Sequence, residues 1–139
     1  MNRRVVIFTG SRHLTGDYWQ RLTPILEKAV ADEAWCLVGD NADGLDAMVR
    51  MHLNGIRFHP RRQAYPRLLV FFADWKAHKK AAGPLRNEEM VNKAIELAIE
   101  NDVQIECFAF FMRRMKCSGT RDCVRRAKEA GASIHTFGD

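Results

Sequence analysis

Short apolar runs alternate with amphipathic stretches along most of the chain. Five of the runs are rich in β-branched or aromatic residues and have the length of buried parallel strands. These runs are 4–9, 35–38, 68–73, 103–111 and 133–137. The segments between them carry apolar residues at helical spacing, and a crossover between parallel strands is normally a helix. The pattern predicts an α/β fold, a Rossmann-like three-layer sandwich with a mostly parallel sheet of about five strands.

Two prolines bear on where helices begin. Pro24 lies inside the first helical pattern, so either Thr23 caps a helix that starts at Pro24 or a longer helix kinks there. Pro84 opens the longest amphipathic pattern after a basic lead-in at 76–80. Because proline is favoured in the first turn of a helix, we expect that helix to begin near Pro84 and to run to about residue 101.

The start of this long helix is also a candidate anion site. Gly83 lets a ligand approach the backbone closely, and free N–H groups of a first turn favour phosphate or carboxylate. Arg86 would add two parallel hydrogen bonds, so we predict it as the principal charged anchor for a ligand. The alternative is that Arg86 pairs with an aspartate of the 40–46 turn and holds the pocket together without touching a ligand.

Length and composition limit the class of protein. The 139 residues predict one domain, 1–139, with a basic loop or insertion around 56–67. No segment approaches the ~20 apolar residues that span a bilayer, and no signal-peptide pattern opens the chain, so we expect a cytoplasmic protein without a membrane partner. The four cysteines show neither a CxxC pair nor zinc-finger spacing. The net charge of +5 favours anionic partners.

Four of the predicted strands end in chemically marked turns. Ligands of open parallel sheets bind outside the carboxyl ends of the strands, near the point where the strand order reverses. Several marked turns on one edge therefore predict a site for a nucleotide-sized anion. The marked turns are 9–12, 39–46, 74–75 and 118–120.

These motifs together resemble the YspA/YpsA-related branch of the SLOG superfamily over nearly the whole chain. The most specific part is Ala-Asp-Trp at 73–75 followed by Ala-Gly-Pro-Leu-Arg-Asn at 82–87. The resemblance implies a Rossmann-like domain that binds a nucleotide or a nucleotide-derived molecule, such as ADP-ribose or a signalling nucleotide, through phosphate and ribose. The predicted ligand-binding residues are Gly10, Ser11, Arg12, Gly39, Asp40, Gly44, Asp46, Asp74, Trp75, Gly83, Pro84, Arg86, Asn87, Ser118, Gly119 and Thr120.

An alternative activity comes from the same superfamily, whose phosphoribohydrolases carry Arg and Met upstream of Gly-Gly-x-Gly-Thr-x-x-Glu. Arg86 and Met90 fit the first part of that pattern. The second part differs, because Cys123 occupies the place of the glutamate and a buried thiol is a poor substitute for a carboxylate. Asp122 is adjacent but would project in another direction on a helix. We therefore expect a binding protein with weak or no N-glycosidase activity.

Other chemistries fit less well. The aspartates of the 39–46 turn do not match a calcium loop, and helix capping explains them better than Mg²⁺, so no metal is predicted, and the sequence leaves any cofactor unknown. Ser11 lacks the Gly-x-Ser-x-Gly elbow of a nucleophile, and the histidines show no ligand spacing. Trp75 either stacks on a base or belongs to the core.

Nucleic acid is the rival partner, because DprA proteins belong to the same superfamily and the chain is basic. Paired basic residues would contact a phosphate backbone, but no aromatic residues lie between them. The pairs are 61–62, 79–80, 113–114 and 125–126. The resemblance also makes a homodimer a reasonable expectation.

Overall fold

The computed structural model describes residues 3–15, 17–54 and 65–138. The strands are β1 (Val5–Gly10), β2 (Trp35–Gly39), β3 (Leu68–Phe71), β4 (Ile105–Phe110) and β5 (Ser133–Phe137). The helices are α1 (Tyr18–Ala31), α2 (Gly44–Asn54), α3 (Trp75–His78), α4 (Ala82–Asn101) and α5 (Ser118–Glu129), with a 3₁₀ turn at Lys79–Ala81.

The five strands form one parallel sheet in the order β3-β2-β1-β4-β5. Val5 at the start of the central strand pairs with Trp35 on one side and with Ile105 on the other. From β1 the chain first builds outward to β3, and it then returns to place β4 on the opposite side of β1. The strand order therefore reverses between β1 and β4, where folds of this class leave a crevice.

Alternation along the strands divides the core into two layers. Val6 and Phe8 face α1 and α2, whose buried residues include Leu26 and Val49. Val5 and Ile7 face the other side of the sheet. There they meet the buried positions of α4 and α5, namely Met90, Val91, Ala94, Leu97, Cys123 and Ala127. The predicted three-layer α/β sandwich is confirmed, and the sheet is wholly parallel.

The structure decides between the two interpretations of Pro24. This proline lies inside α1, which runs without interruption from Tyr18 to Ala31. The Thr23 hydroxyl donates to the Trp19 carbonyl, one turn earlier, so Thr23 does not cap a helix that begins at Pro24. The helix is therefore the longer one of the two alternatives, and it runs through Pro24.

The segment before Pro84 is more helical than the sequence suggests. The basic lead-in at 76–80 lies in α3 and in the 3₁₀ turn, and α4 begins at Ala82, two residues before Pro84. The N–H of Ala82 donates to the Lys79 carbonyl. The first turn of α4 therefore offers fewer free N–H groups than predicted, because the 3₁₀ turn runs directly into it.

Most of the predicted basic loop at 56–67 lies outside the described residues. The part that is described packs against the sheet. The Tyr65 hydroxyl donates to the Ala34 carbonyl over 2.6 Å. Arg67 donates to the Glu33 carbonyl and lies over the ring of Trp35.

Candidate functional site

A cleft of about 760 Å³ lies at the carboxyl ends of the strands. Its walls come from the turns that follow β1 and β2, from the start of α3, from the first two turns of α4, and from the segment between β4 and α5. The cleft spans the crevice where the strand order reverses. The predicted edge of the sheet is therefore the edge that carries it.

Thirteen of the sixteen predicted site residues line this cleft. They are Gly10, Ser11, Arg12, Gly39, Asp46, Trp75, Gly83, Pro84, Arg86, Asn87, Ser118, Gly119 and Thr120. The other three support the walls. Asp40 pairs with Arg86, and Asp74 caps α3 by accepting a hydrogen bond from the N–H of Ala77. Gly44 has a φ of 72°, and a Cβ there would lie 2.3 Å from the Ser11 carbonyl oxygen, so only glycine fits beneath that loop.

Arg86 is bound inside the protein. Its side chain is buried, Nη1 donates to Asp40 Oδ1 over 2.8 Å, and Nε donates to Asn87 Oδ1 over 3.3 Å. Asp40 Oδ1 also accepts from the N–H of Ala73 after β3, so this ion pair joins β2, β3 and α4. The structural alternative for Arg86, a pair with an aspartate of the 40–46 turn, is what the structure shows. Nη2 has no hydrogen-bond partner among the described residues, and a ligand contact through it remains a prediction.

Asp46 is the most perturbed carboxylate of the cleft. It is only 4% exposed, and Oδ2 accepts one hydrogen bond, from the N–H of Asn41 over 3.2 Å. Burial raises the pKa of Asp46 to about 6, and the nearby charges of Arg86 and Arg50 only partly oppose this effect. Oδ1 accepts no hydrogen bond from any described residue. The cleft therefore has an acceptor without a donor at this point.

Asn87 joins the two helices behind the cleft. Its Nδ2 donates to the Gly119 carbonyl over 3.1 Å and to Asp122 Oδ2 over 3.0 Å. Burial raises the pKa of Asp122, but the hydrogen bonds from Asn87, Arg126 and Arg125 outweigh that effect and lower it. Asn87 thereby fixes the start of α5 against α4.

The start of α5 opens into the cleft. The first helical hydrogen bond runs from the N–H of Arg121 to the Cys117 carbonyl, which leaves the N–H groups of residues 118–120 without helical partners. The Thr120 hydroxyl lies in the same turn, is 4% exposed, and has no hydrogen-bond partner among the described residues. Free N–H groups at a helix start favour an anion.

The opposite end of the cleft carries an aromatic ring. Trp75 is 51% exposed, so it is not a core residue, and the core interpretation of this tryptophan is wrong. A Cβ at Gly83 would lie 3.3 Å from the ring, so glycine lets α4 pass close to it.

Cys123 is buried, as the sequence suggested, and Asp122 is the residue of this pair that lines the cleft. Cys123 is fully buried beside Cys107, below the cleft, and all four cysteines are free. Asp122 does project in a different direction, and that direction is toward the cleft. A carboxylate is therefore present, but its two oxygens accept hydrogen bonds from Asn87, Arg125 and Arg126.

The prediction missed eleven residues that line the cleft. They are Phe8, Thr9, His13, Asn41, Lys80, Met90, Arg114, Met115, Lys116, Cys117 and Asp122. Four of them, Thr9, His13, Asn41 and Cys117, are direct sequence neighbours of predicted residues. The basic pairs of the sequence differ in position. Lys80 and Arg114 line the cleft, whereas Arg125 and Arg126 of α5 form ion pairs with acidic side chains.

A larger cavity of about 1020 Å³ lies at the opposite ends of the strands. Four of its charged side chains form ion pairs with one another. Arg4 pairs with Glu106 and Asp32, and Lys28 pairs with Asp32 over 3.2 Å. We therefore give the smaller cleft, with its unpaired polar groups, more weight as a binding site.

Residues 3–15, 17–54 and 65–138 contain neither a membrane-spanning helix nor a metal-binding cluster. Within these ranges, no helix is long and apolar enough to cross a bilayer. Nor do three or more His, Cys, Asp or Glu side chains meet anywhere in the described part of the chain to hold a metal ion.

The chain is similar to a protein of a mycobacterial phage. The chain is 34% identical over 142 residues to the Gene 61 protein of Mycobacterium phage D29, and the alignment covers 98% of each chain. No protein family model matches the chain. No solved structure matches it either.

Proposed function

We propose that this chain, which belongs to the family of the Gene 61 protein of Mycobacterium phage D29, binds a nucleotide or a nucleotide-derived molecule in the cleft. The observation that carries the proposal is the start of α5, where residues 118–120 line the cavity and neither their three N–H groups nor the Thr120 hydroxyl has a hydrogen-bond partner among the described residues. A phosphate group matches these donors in charge and geometry.

Charge and aromatic character favour a nucleotide over inorganic phosphate. Arg12, Lys80, Arg114 and Lys116 line the cleft and form no ion pair among the described residues, so its mouth favours a ligand with several negative charges. At the far end, the half-exposed Trp75 ring provides a surface on which a base would stack. A ligand that carries both an anionic group and a flat aromatic ring would contact both ends of the cleft.

A thermal-shift panel would test this function. We expect the melting temperature to rise with at least one of AMP, ADP, ATP, NAD, ADP-ribose or a cyclic dinucleotide, because a ligand that binds only the folded state stabilises it. Single-stranded DNA is the comparison for the nucleic-acid alternative. If DNA binds and its affinity falls steeply with salt while no nucleotide binds, the cleft is a backbone-binding surface and the proposal is wrong.

Trp75→Ala should weaken nucleotide binding by about 5- to 160-fold, because stacking contributes roughly 1–3 kcal/mol per base. The change should hardly affect the free energy of unfolding, since the ring is half exposed. Titration calorimetry measures the affinity. Phe72→Ala is the matched control, because Phe72 is 72% exposed, lies three residues away and does not line the cleft. Equal affinities of wild type and Trp75→Ala would exclude stacking.

We expect little or no cleavage of the bound nucleotide. The carboxylate of Asp122 is the group that an N-glycosidase would need, but it is held by three hydrogen-bond donors and its lowered pKa leaves it without a proton to give. Incubation with nucleoside monophosphates followed by chromatography would detect released base. Many turnovers per protein molecule, lost in Asp122→Asn, would show that Asp122 acts despite these bonds.

A further inference from the structure

The strand order arranges the groups of the cleft in a line. Trp75 follows β3, Asp46 follows β2, Ser11 follows β1, and Thr120 follows β4. The strands stand in the same order, β3-β2-β1-β4, at about 4.8 Å from one to the next. An aromatic ring, a buried carboxylate and the anion-binding turns therefore follow one another over roughly 14 Å.

A nucleotide has the same succession of base, sugar and phosphate. With the phosphate at the start of α5 and the base on Trp75, the sugar lies over β2. Gly39 ends that strand, Asn41 lies in the turn after it, and Asp46 lies in the first turn of α2, and all three line the cleft. Of these three residues, Asp46 alone has an ionisable side chain. The chemistry of Asp46 therefore decides which sugar fits.

We propose that Asp46 accepts a hydrogen bond from the ribose diol, so that the cleft takes ribonucleotides in preference to 2′-deoxyribonucleotides. This inference rests on the proposed nucleotide binding. In this inference, Asp46 is a specificity-determining residue that recognises the sugar and not the phosphate or the base.

The hydrogen bonding of Asp46 favours a neutral donor. An ionised carboxylate offers about four acceptor sites, and the only hydrogen bond to Asp46 from a described residue comes from Asn41. The nearest guanidinium does not supply another, since Nη1 of Arg86 donates to Asp40. No buried polar side-chain atom of the described residues lacks a hydrogen-bond partner, so Asp46 Oδ1 is open to the cleft, where a ligand hydroxyl can donate to it. A phosphate at this position would be repelled by the like charge.

The backbone beside Asp46 leaves room for such a contact. Gly39 lines the cleft next to this carboxylate, and a Cβ at Gly39 would lie 2.7 Å from Asp46 Oδ2 and 2.6 Å from Arg86 Nη1. Any larger residue would therefore displace the Asp46 and Arg86 side chains. Gly39 keeps both in the position in which Asp46 meets the cleft.

Paired affinity measurements would test the inference. ADP, GDP, CDP and UDP are titrated at pH 8 against their 2′-deoxy counterparts, with wild type, Asp46→Asn and Asp43→Asn. We expect the best-bound ribonucleotide to bind wild type at least about tenfold more tightly than its deoxy form, because a site built to accept a hydroxyl proton discriminates against the analogue that lacks it. Asp46→Asn should reduce that ratio to less than about threefold.

Asp43→Asn is the matched control, since Asp43 is exposed in the same turn and does not line the cleft. It should keep the wild-type ratio. Equal binding of ribonucleotide and deoxyribonucleotide to wild type overturns the inference and leaves nucleotide binding intact. If Asp46→Asn still prefers the ribonucleotide to the same degree as wild type, the inference is also overturned, because a different residue then recognises the sugar. If no nucleotide binds, the proposed function fails, and this inference fails with it.

Discussion

Replacing Arg86 with alanine should lower the free energy of unfolding by about 3 kcal/mol, the lower end of the range for breaking a buried ion pair. The guanidinium is 8% exposed and joins Asp40 to Asn87. Its removal leaves Asp40 without its cation and withdraws a charge that opposes the effect of burial on Asp46. Urea unfolding followed by circular dichroism would measure the loss.

Two further variants test the cause of that loss. Arg12→Ala also removes a guanidinium from the cleft, but Arg12 is exposed, so its unfolding free energy should change little. In a double-mutant cycle with Asp40→Ala, the combined loss should be clearly smaller than the sum of the single losses, because the pair is already broken in either single variant. Additive losses would mean that Arg86 stabilises the fold through other contacts.

The same variant bears on the predicted ligand contact of Arg86. If Nη2 also binds the ligand, Arg86→Ala should weaken binding by roughly 1.5–3 kcal/mol at a temperature where the variant remains folded. Affinity within twofold of wild type would limit Arg86 to its structural role. Arg12 would then be the next candidate for the anchor.

Asp46→Asn should make the protein without ligand more stable at pH 8, by up to about 3 kcal/mol. Native Asp46 has a pKa of about 6, above the value of 3.8 expected for an unfolded chain, so between these values the native state holds a proton that the unfolded state has lost. The contribution of Asp46 to stability therefore falls as pH rises from about 4 to 6, and it remains lower above pH 6. Arg86, Arg50 and Asp40 are the charged groups that act on it.

Unfolding free energies at several pH values would show this effect. Wild type and Asp46→Asn should be equally stable near pH 4 and should diverge above pH 6, whereas Asp43→Asn should follow wild type. Ligand binding should show the opposite trend, since only the ionised carboxylate accepts a hydroxyl proton freely. If Asp46→Asn is less stable than wild type at pH 8, the ionised carboxylate stabilises the fold. The expectation that it destabilises the protein without ligand is then wrong.

The alternation of apolar runs was sufficient to predict the fold and the edge that carries the cleft. Strand ends of a parallel sheet lie on one side by geometry, so marked turns such as 9–12 and 118–120 necessarily converge. The different roles of the aspartates were not predictable from the sequence. Asp40, Asp46 and Asp74 have the same side chain and follow strand ends on one edge of the sheet. Arg86 of α4 makes Asp40 an ion-pair partner, burial in the first turn of α2 makes Asp46 an acceptor for the N–H of Asn41, and Asp74 caps α3 locally.

Helix phase explains what was missed around α5. The phosphoribohydrolase pattern directed attention to Cys123. Because α5 begins at Ser118, however, Cys123 faces β4. Asp122, one position earlier, consequently lines the cleft. The strand order was missing from the sequence reasoning, and it is this order that brings Trp75 and Thr120 to opposite ends of one cavity.

The pairing of β1 with β4 has a kinetic consequence. The N-terminal half, β1-α1-β2-α2-β3, is assembled from neighbouring segments, whereas the contact between Val5 and Ile105 closes a loop of about 100 residues. We expect this junction to form after the N-terminal half. Contacts between distant residues lose more chain entropy before the energy of the contact can compensate for that loss. A ligand that bridges the junction then strengthens contacts that are still absent from the folding transition state. Such a ligand should slow unfolding and leave the rate of folding almost unchanged.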